Sequence, residues 1–151
     1  MTDCHASAVS LPAGAVVLLG ASGCGKSDLA WRLIEAGGVL IGDDRLDIAI
    51  RDGQLFASPR ENLAGLIEIR GVGLLKTAYR ADVALNLAVR LVARKDVPRL
   101  PSPAFWSPTG DVEIPAIALH AFDATTPAKI RLALETLART GFPDDAILHD
   151  A

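Results

Sequence analysis

A phosphate-binding motif lies close to the N-terminus, at Gly20-Ala21-Ser22-Gly23-Cys24-Gly25-Lys26-Ser27, and matches the pattern G-x-x-x-x-G-K-[ST] at every fixed position. Its glycines let the backbone wrap around a polyphosphate and bind it through N–H groups. Lys26 can reach the β- and γ-phosphates, and Ser27 can ligate Mg²⁺. The apolar run Ala15–Leu19 predicts a buried strand before the loop, and the apolar spacing of Lys26–Ala36 predicts a helix after it. Strand, glycine-rich loop and helix in this order predict a nucleotide-phosphate site.

Composition narrows the class of protein. The chain has 151 residues, 50% of them hydrophobic and 22% charged, with a formal net charge of −3. This length predicts one domain over residues 1–151, and the apolar content excludes a disordered chain. Apolar runs far shorter than the ~20 residues of a membrane span argue against a membrane protein. The slightly acidic balance argues against nucleic acid as the main partner. Two cysteines outside any metal-ligand cluster, and no basic residue before the first apolar stretch, favour a reduced, cytoplasmic protein.

Short apolar runs separated by glycine and proline predict an α/β fold, with strands that are buried on both faces and covered by helices. Further strands are predicted at Val39–Ile41, Leu66–Ile69 and Val112–Leu119, a hairpin at Leu46–Ala57 around Asp52-Gly53, and helices at Ala81–Ala93 and from Thr126 to Gly141. We expect Gly37-Gly38 to end the first helix, Pro98–Pro108 to form a loop, Pro115 to mark an edge strand and the polar tail from Pro143 to fray.

Two adjacent acids, Asp43 and Asp44, directly follow the predicted strand Val39–Ile41. An open α/β sheet has its ligand crevice at such a position. Phosphoryl transfer to a hydroxyl needs one carboxylate near Mg²⁺ and another to take the proton, and adjacent side chains diverge enough to share these tasks. The alternative interpretation is a polar turn that simply ends the strand, but the phosphate loop upstream favours the functional one.

Two further features are ambiguous on local grounds. The stretch Glu68–Gly73 places Glu68 and Arg70 beside two glycines, which fits either a piece of a phosphate or metal site or a solvated strand edge and turn. His5 stands alone in a polar segment, and by itself it is typical of a solvated histidine.

Together these motifs resemble the catalytic C-terminal domain of the HPr kinase/phosphorylase family. The resemblance covers residues 4–95 and rests on the order of His5, the loop at 20–27, Gly42-Asp43-Asp44-Arg45 and Ile67-Glu68-Ile69-Arg70-Gly71-Val72-Gly73. It implies an ATP- and Mg²⁺-dependent kinase that phosphorylates a serine of HPr or a related phosphocarrier, and that can run backwards by phosphorolysis. It also implies a P-loop domain with a mixed sheet flanked by helices, similar to phosphoenolpyruvate carboxykinase, that assembles as a homo-oligomer.

The resemblance also implies a role for each matching residue. Lys26 would neutralise phosphate charge, while Ser27 and Glu68 would serve Mg²⁺. Asp44 would accept the proton of the attacking serine and return it in the reverse reaction, with Asp43 in support. His5 is similar to an active-site histidine near the bound phosphate, which overrides its local interpretation as solvated. Arg70 lies in the stretch Ile67–Lys76, which resembles the family's catalytic signature.

The sequence departs from the family at two places. Because the chain starts just before His5, we expect a short form without the family's N-terminal domain. The family's later Gly-Arg-Asn element has no clear counterpart around Phe122–Lys129, which leaves Lys129 or Arg131 as substitutes for its arginine. Two alternatives remain at this point. One is a small P-loop metabolite kinase with Pro98–Pro108 as its lid, and the other is a nucleotide-binding regulatory module without turnover.

Overall fold

The computed structural model of the chain describes residues 1–140, which form twelve strands and two α-helices. The strands are β1 (Thr2–Cys4), β2 (Ser7–Leu11), β3 (Gly14–Leu19), β4 (Val39–Gly42), β5 (Leu46–Arg51), β6 (Gln54–Pro59), β7 (Leu66–Ile69), β8 (Gly73–Lys76), β9 (Val83–Ala84), β10 (Leu87–Leu91), β11 (Phe105–Trp106) and β12 (Ile114–Leu119). The helices are α1 (Lys26–Glu35) and α2 (Thr126–Thr140), and Glu61–Leu63 and Arg94–Asp96 form short 3-10 helices. No helix in this part of the chain is both long and apolar enough to cross a membrane.

A mixed six-stranded sheet forms the centre, with the strand order β11-β12-β10-β3-β2-β4. Strands β3, β10 and β12 are parallel, whereas β2 is antiparallel to both β3 and β4. The carboxyl ends of β3, β4, β10 and β12 therefore lie at one edge of the sheet, together with the amino end of β2. This edge receives the segments that follow β3, β4 and β12 and the segment that precedes β2.

One face of the central sheet packs against the two helices. Val16 and Leu18 of β3 and Val89 of β10 belong to one buried apolar cluster, together with side chains of both helices. The helix residues that are almost fully buried in this cluster are Leu29, Ala30, Leu33, Ile130 and Leu134. Helix α1 ends as predicted: Gly37 has a φ of +107°, and the N–H groups of Gly37 and Gly38 donate to the carbonyls of Ile34 and Leu33 in a Schellman motif.

The opposite face of the central sheet packs against a second, antiparallel sheet of strand order β1-β5-β6-β9. The alternate residues Ala15 and Val17 of β3 point to this side and join a second buried cluster with residues of β5 and β6. Alanines are frequent in it, which lets the two sheets approach closely: Ala6, Ala8, Ala15, Ala57, Ala88 and Ala116. The prediction that the strands are buried on both faces is thus confirmed, but the prediction that helices cover both faces is wrong.

The strand and helix predictions are confirmed except in three places. The predicted helix Ala81–Ala93 is wrong, because the chain there forms β9 and β10. Strand β12 is not the edge that Pro115 suggested, since β11 pairs with it at Ile114 and Pro115. That pairing strand also lies inside the predicted loop Pro98–Pro108. The predicted helix stop at Gly141 and the tail from Pro143 lie outside the described residues.

Candidate active site

The phosphate loop joins β3 to α1 and is shaped by its last glycine. Gly25 directly precedes α1 with a φ of +100°, and its carbonyl accepts the first helical hydrogen bond, from the N–H of Leu29. A Cβ built on Gly25 would lie 2.8 Å from Ala121 Cβ and 2.8 Å from Phe122 Cζ. Glycine is therefore required here both for its backbone conformation and for its size. The free N–H groups and the dipole at the start of α1 make this turn suited to an anion.

Lys26 is folded beneath the loop. Its side chain is buried, with Nζ donating to the carbonyl of Gly20 at 2.7 Å and to that of Ala21 at 3.1 Å. These two bonds hold the ammonium group against the loop. The predicted lysine also lines the cleft that opens beside the loop.

Asp43 is the centre of a buried hydrogen-bond network. Its carboxylate accepts from the Ser7 hydroxyl at 2.7 Å, and the Ser27 hydroxyl lies 2.7 and 3.0 Å from its two oxygens. The backbone N–H of Glu68 donates to it at 3.3 Å. With three donors, the carboxylate is fixed and satisfied although it is only 8% exposed. The aspartate after β4, the serine of the phosphate loop and strand β7 are thereby tied together.

Ser7 is a site residue that the sequence predictions missed. It is fully buried on β2, where it donates to Asp43 and accepts from the backbone N–H of Asp44 at 3.1 Å. It therefore holds both acids of the pair in position. Strand Ser7–Leu11 holds two serines, and the signal that could have identified Ser7 is a polar residue two positions after the predicted active-site histidine His5, at the start of an apolar-rich strand.

Asp44 has a different environment from its neighbour. It adopts a left-handed backbone with a φ of +67°, and its side chain is 62% exposed at the mouth of the site. Nε2 of His5 lies 2.7 Å from its Oδ1. The two adjacent acids therefore differ in environment: one carboxylate is buried against the loop serine, and the other is exposed and contacts a histidine.

Strand β1 is anchored immediately before His5. Asp3 pairs with Arg45 at 2.8 Å and with Arg60 at 2.6 Å, and β1 is hydrogen-bonded to β5. Cys4 lies between Asp3 and His5 in the chain. Burial and the charge of Asp3 raise the pKa of the Cys4 thiol, which keeps this thiol protonated at neutral pH. The ion pairs fix strand β1, which directly precedes His5.

A cleft of about 460 Å³ opens between the loop and the acids. It is lined by Ser22, Gly23, Gly25, Lys26, Ser27, Asp28, Asp43, Asp44, Glu68, Arg70 and Phe122. Glu68 and Arg70 reach it from the exposed side of the β7–β8 hairpin. Of the predicted residues, Gly20 and Ala21 accept hydrogen bonds from Lys26, His5 contacts Asp44, and Cys24 packs against the core.

The two residues considered as substitutes for the missing arginine do not line this cleft. Lys129 lines a separate apolar groove between α2 and β12, and Arg131 is exposed on α2. Within residues 1–140 the cations that line the cleft are Lys26 and Arg70. Phe122 lines the cleft instead, although the sequence predictions did not include it as a site residue. It lies at the start of Phe122–Lys129, the stretch in which the family's Gly-Arg-Asn element has no clear counterpart.

The donor set of the cleft suits Mg²⁺ held jointly with phosphate oxygens. In the described part of the chain, no group of three or more His, Cys, Asp or Glu residues could hold a metal ion by itself. Mg²⁺ is commonly bound by one or two protein oxygens together with substrate phosphates and waters. The Ser27 hydroxyl, the Asp43 carboxylate and Glu68 are oxygen donors of this kind.

The fold and the cleft define an α/β protein that presents a GxxxxGKS loop and paired acids at one edge of a mixed sheet. The chain belongs to the HPr serine kinase family: the family model described as the HPr Serine kinase C-terminal domain matches residues 1–131. This confirms the resemblance seen in the sequence and extends it beyond residue 95.

Individual relatives agree with this membership. The HPr kinase/phosphorylase of Streptococcus thermophilus is 41% identical over 75 residues, which cover 49% of this chain and 24% of that protein. The HPr kinase/phosphorylase of Variovorax paradoxus is 34% identical over 113 residues, covering 67% and 35%. The chain thus matches only about a quarter to a third of the length of these curated relatives. The solved structure of the Hpr(Ser) kinase/phosphatase from Coxiella burnetii aligns with a TM-score of 0.77 at 25% identity, covering 92% of this chain and 89% of that one.

Proposed function

We propose that this chain binds ATP with Mg²⁺ in the cleft and transfers the γ-phosphoryl group to a serine hydroxyl of HPr or a related phosphocarrier. The observation that carries the proposal is the division of the acid pair: Asp43 is buried against the loop serine, and Asp44 is exposed at the mouth. Phosphoryl transfer to a hydroxyl needs these two positions. Membership of the HPr serine kinase family suggests the acceptor.

The loop supplies the charge complement for the phosphates. Backbone N–H groups at Gly23–Ser27 and the positive end of α1 would bind the phosphate oxygens. Lys26 would exchange its bonds to the loop carbonyls for phosphate oxygens, since both are oxygen acceptors within reach of the same Nζ. Positioning and charge neutralisation of this kind provide most of the catalysis in phosphoryl transfer.

Ser27 and Glu68 would hold Mg²⁺, with Asp43 organising them. The Ser27 hydroxyl donates its proton to Asp43, so its lone pairs remain free for a cation. The same carboxylate accepts from the N–H of Glu68, which fixes strand β7 beside the loop. Bound Mg²⁺ would neutralise charge on the β- and γ-phosphates and orient them.

Asp44 would act on the incoming serine. The serine oxygen forms a bond to the γ-phosphorus, the bond from that phosphorus to the leaving ADP oxygen breaks, and Asp44 takes the hydroxyl proton. His5 would keep the exposed carboxylate pointed at the hydroxyl through its 2.7 Å hydrogen bond. In phosphorolysis the same carboxylate would return the proton to the serine oxygen as phosphate removes the phosphoryl group.

The surface around the cleft favours a protein acceptor over a small metabolite. Val72 and Leu74 are 71% and 65% exposed on the β7–β8 hairpin, which also carries Glu68 and Arg70. Exposed apolar side chains beside a polar site are typical of a surface that another protein covers. A metabolite kinase would instead enclose its acceptor under a lid. The expected homo-oligomer, the single domain over 1–151 and the cytoplasmic location stay predictions.

The test is transfer of labelled phosphate from ATP to purified HPr, using the full chain. The wild type should label HPr, but not an HPr whose acceptor serine is replaced by alanine, and Asp44→Asn should abolish labelling. Asp52→Asn is the matched control, because Asp52 has a similar φ of +51° and lies in the β5–β6 turn outside the cleft. Asparagine tolerates a left-handed backbone, so both variants should fold.

The outcomes separate the three candidate functions. A wild type that binds ATP with Mg²⁺ but labels no phosphocarrier would favour the regulatory module. A wild type that consumes ATP only with a small hydroxylated metabolite would favour the metabolite kinase. Loss of ATP binding in Lys26→Ala is expected in all three cases, and unchanged affinity in that variant would remove the phosphate-loop assignment itself.

A further inference from the structure

Phe122 is an exposed aromatic residue at the mouth of the cleft. It follows β12, lines the cleft and is 56% exposed. Its ring also touches the phosphate loop, since only the absence of a Cβ at Gly25 leaves room for Phe122 Cζ. The tip of the ring, at Cζ and Cε1, therefore lies against the loop, while much of the side chain remains open to solvent.

The backbone on both sides of Phe122 is clamped to α1. The Arg32 guanidinium donates to the carbonyl of Ala121 at 2.5 Å and to the carbonyl of Asp123 at 2.6 Å. Helix α1 begins directly after the phosphate loop, at Lys26. Because Arg32 lies on the same helix as the end of the loop, the backbone that carries the aromatic ring is fixed relative to the phosphate-binding N–H groups.

Further contacts hold the same segment from the other side. Arg94 pairs with Asp123 at 2.7 Å, and the Thr126 hydroxyl donates to the carbonyl of His120 at 2.6 Å. The rings of His120 and Phe122 pack edge to face, with their centroids 5.9 Å apart. An exposed phenyl ring on a mobile loop would need no explanation. An exposed ring on a segment that five separate interactions hold in place, directly beside a phosphate loop, is arranged to contact a ligand.

We propose that Phe122 is a packing platform for the nucleoside end of the nucleoside triphosphate whose phosphates occupy the loop. The inference rests on the proposed function and names a binding residue within it. The cleft offers phosphate-binding groups on one side, and the ring is the aromatic side chain that lines it among the described residues. Phenyl rings bind nucleobases through their faces without selecting among hydrogen-bonding edges. The ring would therefore contribute affinity for the nucleoside and leave the phosphates to the loop.

The test compares the affinities of two ligands for the full chain by calorimetry: Mg²⁺-ATP, and inorganic tripolyphosphate with Mg²⁺, which carries the phosphates but no nucleoside. Phe122→Ala should weaken ATP binding about 5- to 100-fold, as expected for loss of one stacking contact, and should leave tripolyphosphate binding within about 2-fold. Phe122→Tyr keeps the ring and should bind both ligands as the wild type does. Phe105→Ala is the control, because Phe105 is 47% exposed but lies on β11, outside the cleft.

Each result decides a different point. Equal losses for ATP and tripolyphosphate in Phe122→Ala would overturn the inference, because the ring would then serve only to shape the loop. Unchanged ATP affinity in that variant would also overturn it. If the wild type bound neither ligand, the phosphate site itself, and with it the proposed function, would fail. A wild type that binds both ligands, with a loss confined to ATP, supports the platform.

Discussion

His5 and Asp44 are 39 positions apart in the sequence, yet Nε2 of the histidine lies 2.7 Å from Oδ1 of the aspartate. The contact forms because β2 runs antiparallel to β4, so the residues before β2 and those after β4 meet at the same edge of the sheet. Sheet topology therefore assembles the pair, and the ion pairs of Asp3 hold β1 in place beside it.

Loss of His5 should reduce turnover without weakening nucleotide binding. His5→Ala removes the hydrogen bond that orients the Asp44 carboxylate, while the loop and Lys26 remain intact. A hydrogen bond to a charged group contributes about 1.5–3 kcal/mol, which corresponds to a fall in kcat of about 10- to 100-fold. Steady-state phosphorylation of HPr, with the KM for ATP measured separately, checks this. His5→Gln retains a side-chain donor and should recover part of the rate. A change confined to the KM for ATP would contradict the positioning role.

Removal of the Ser7 hydroxyl should lower both stability and activity. Ser7→Ala takes one donor from the buried carboxylate of Asp43 and leaves the N–H of Asp44 without its acceptor. Partly unsatisfied buried groups cost about 1–3 kcal/mol of unfolding free energy. Urea unfolding measures that cost, and kcat should fall in the same variant because both acids lose their anchor. Ser10→Ala, on the same strand but outside the cleft, should leave kcat unchanged. Equal effects of the two variants on kcat would show that Ser7 has no special role.

The phosphate loop, helix α1 and the position of the acid pair could be predicted from the sequence, because each depends on residues that are adjacent in the chain. Gly25 and Lys26 belong to a contiguous motif, and Asp43 and Asp44 follow a short apolar strand directly. Their spatial meeting follows from one rule, that the carboxyl ends of parallel strands share an edge. The family resemblance, rather than local pattern, identified His5, whose partner is 39 residues away.

Two sequence predictions, the helix at Ala81–Ala93 and the helix layer on the far face of the sheet, are wrong for the same reason. In both cases contacts between residues that are distant in the chain determine the structure. Val83, Leu87 and Leu91 recur every four residues and so predicted a helix, but Leu87, Val89 and Leu91 also alternate as in a strand. In the structure Leu87–Leu91 pairs with β3 and β12, and both faces of this strand are buried. A strand buried on both faces cannot be distinguished from a buried helix by periodicity alone. Similarly, no local sequence pattern indicates whether helices or a second sheet cover the opposite face of the central sheet.

Gly25 should be less tolerant of a side chain than a glycine of similar backbone conformation. Gly25 and Gly37 have φ values of +100° and +107°, so alanine at either should cost about 1–2 kcal/mol in backbone strain. Only at Gly25 would the new Cβ collide with Ala121 and Phe122, because nothing lies within 4 Å of a Cβ at Gly37. Gly25→Ala should therefore lose ATP affinity as well as stability, whereas Gly37→Ala should lose stability alone. Calorimetric binding and thermal unfolding of both variants check this, and equal ATP affinities would contradict it.

The ion pair between Asp123 and Arg94 should make the segment around Phe122 sensitive to acid. The hydrogen bond from Arg94, reinforced by the charges of Arg94, His120 and Lys129, lowers the pKa of Asp123 below 3.8, although desolvation opposes the shift. A lowered folded-state pKa means that the stabilisation is fully present above the unfolded pKa and is lost as pH falls through the folded one.

A double-mutant cycle with Asp123→Asn and Arg94→Gln measures this pair directly. Its coupling energy, obtained from urea unfolding, should be favourable at neutral pH and should vanish well below pH 3.8, once the carboxylate is protonated in both states. Because the pair is partly exposed, added salt should weaken the coupling as well.

The equivalent cycle for Asp82 and Arg51 is the control, because the hydrogen bond from Arg51 lowers the pKa of Asp82 in the same way. Its coupling energy should show the same pH dependence, although this pair lies far from the cleft. If the coupling energy persisted or grew in acid, the interaction of Arg94 with Asp123 would not depend on the ionised carboxylate, which would contradict the prediction. Only the first cycle should alter ATP affinity, since Asp123 adjoins Phe122 and Asp82 does not.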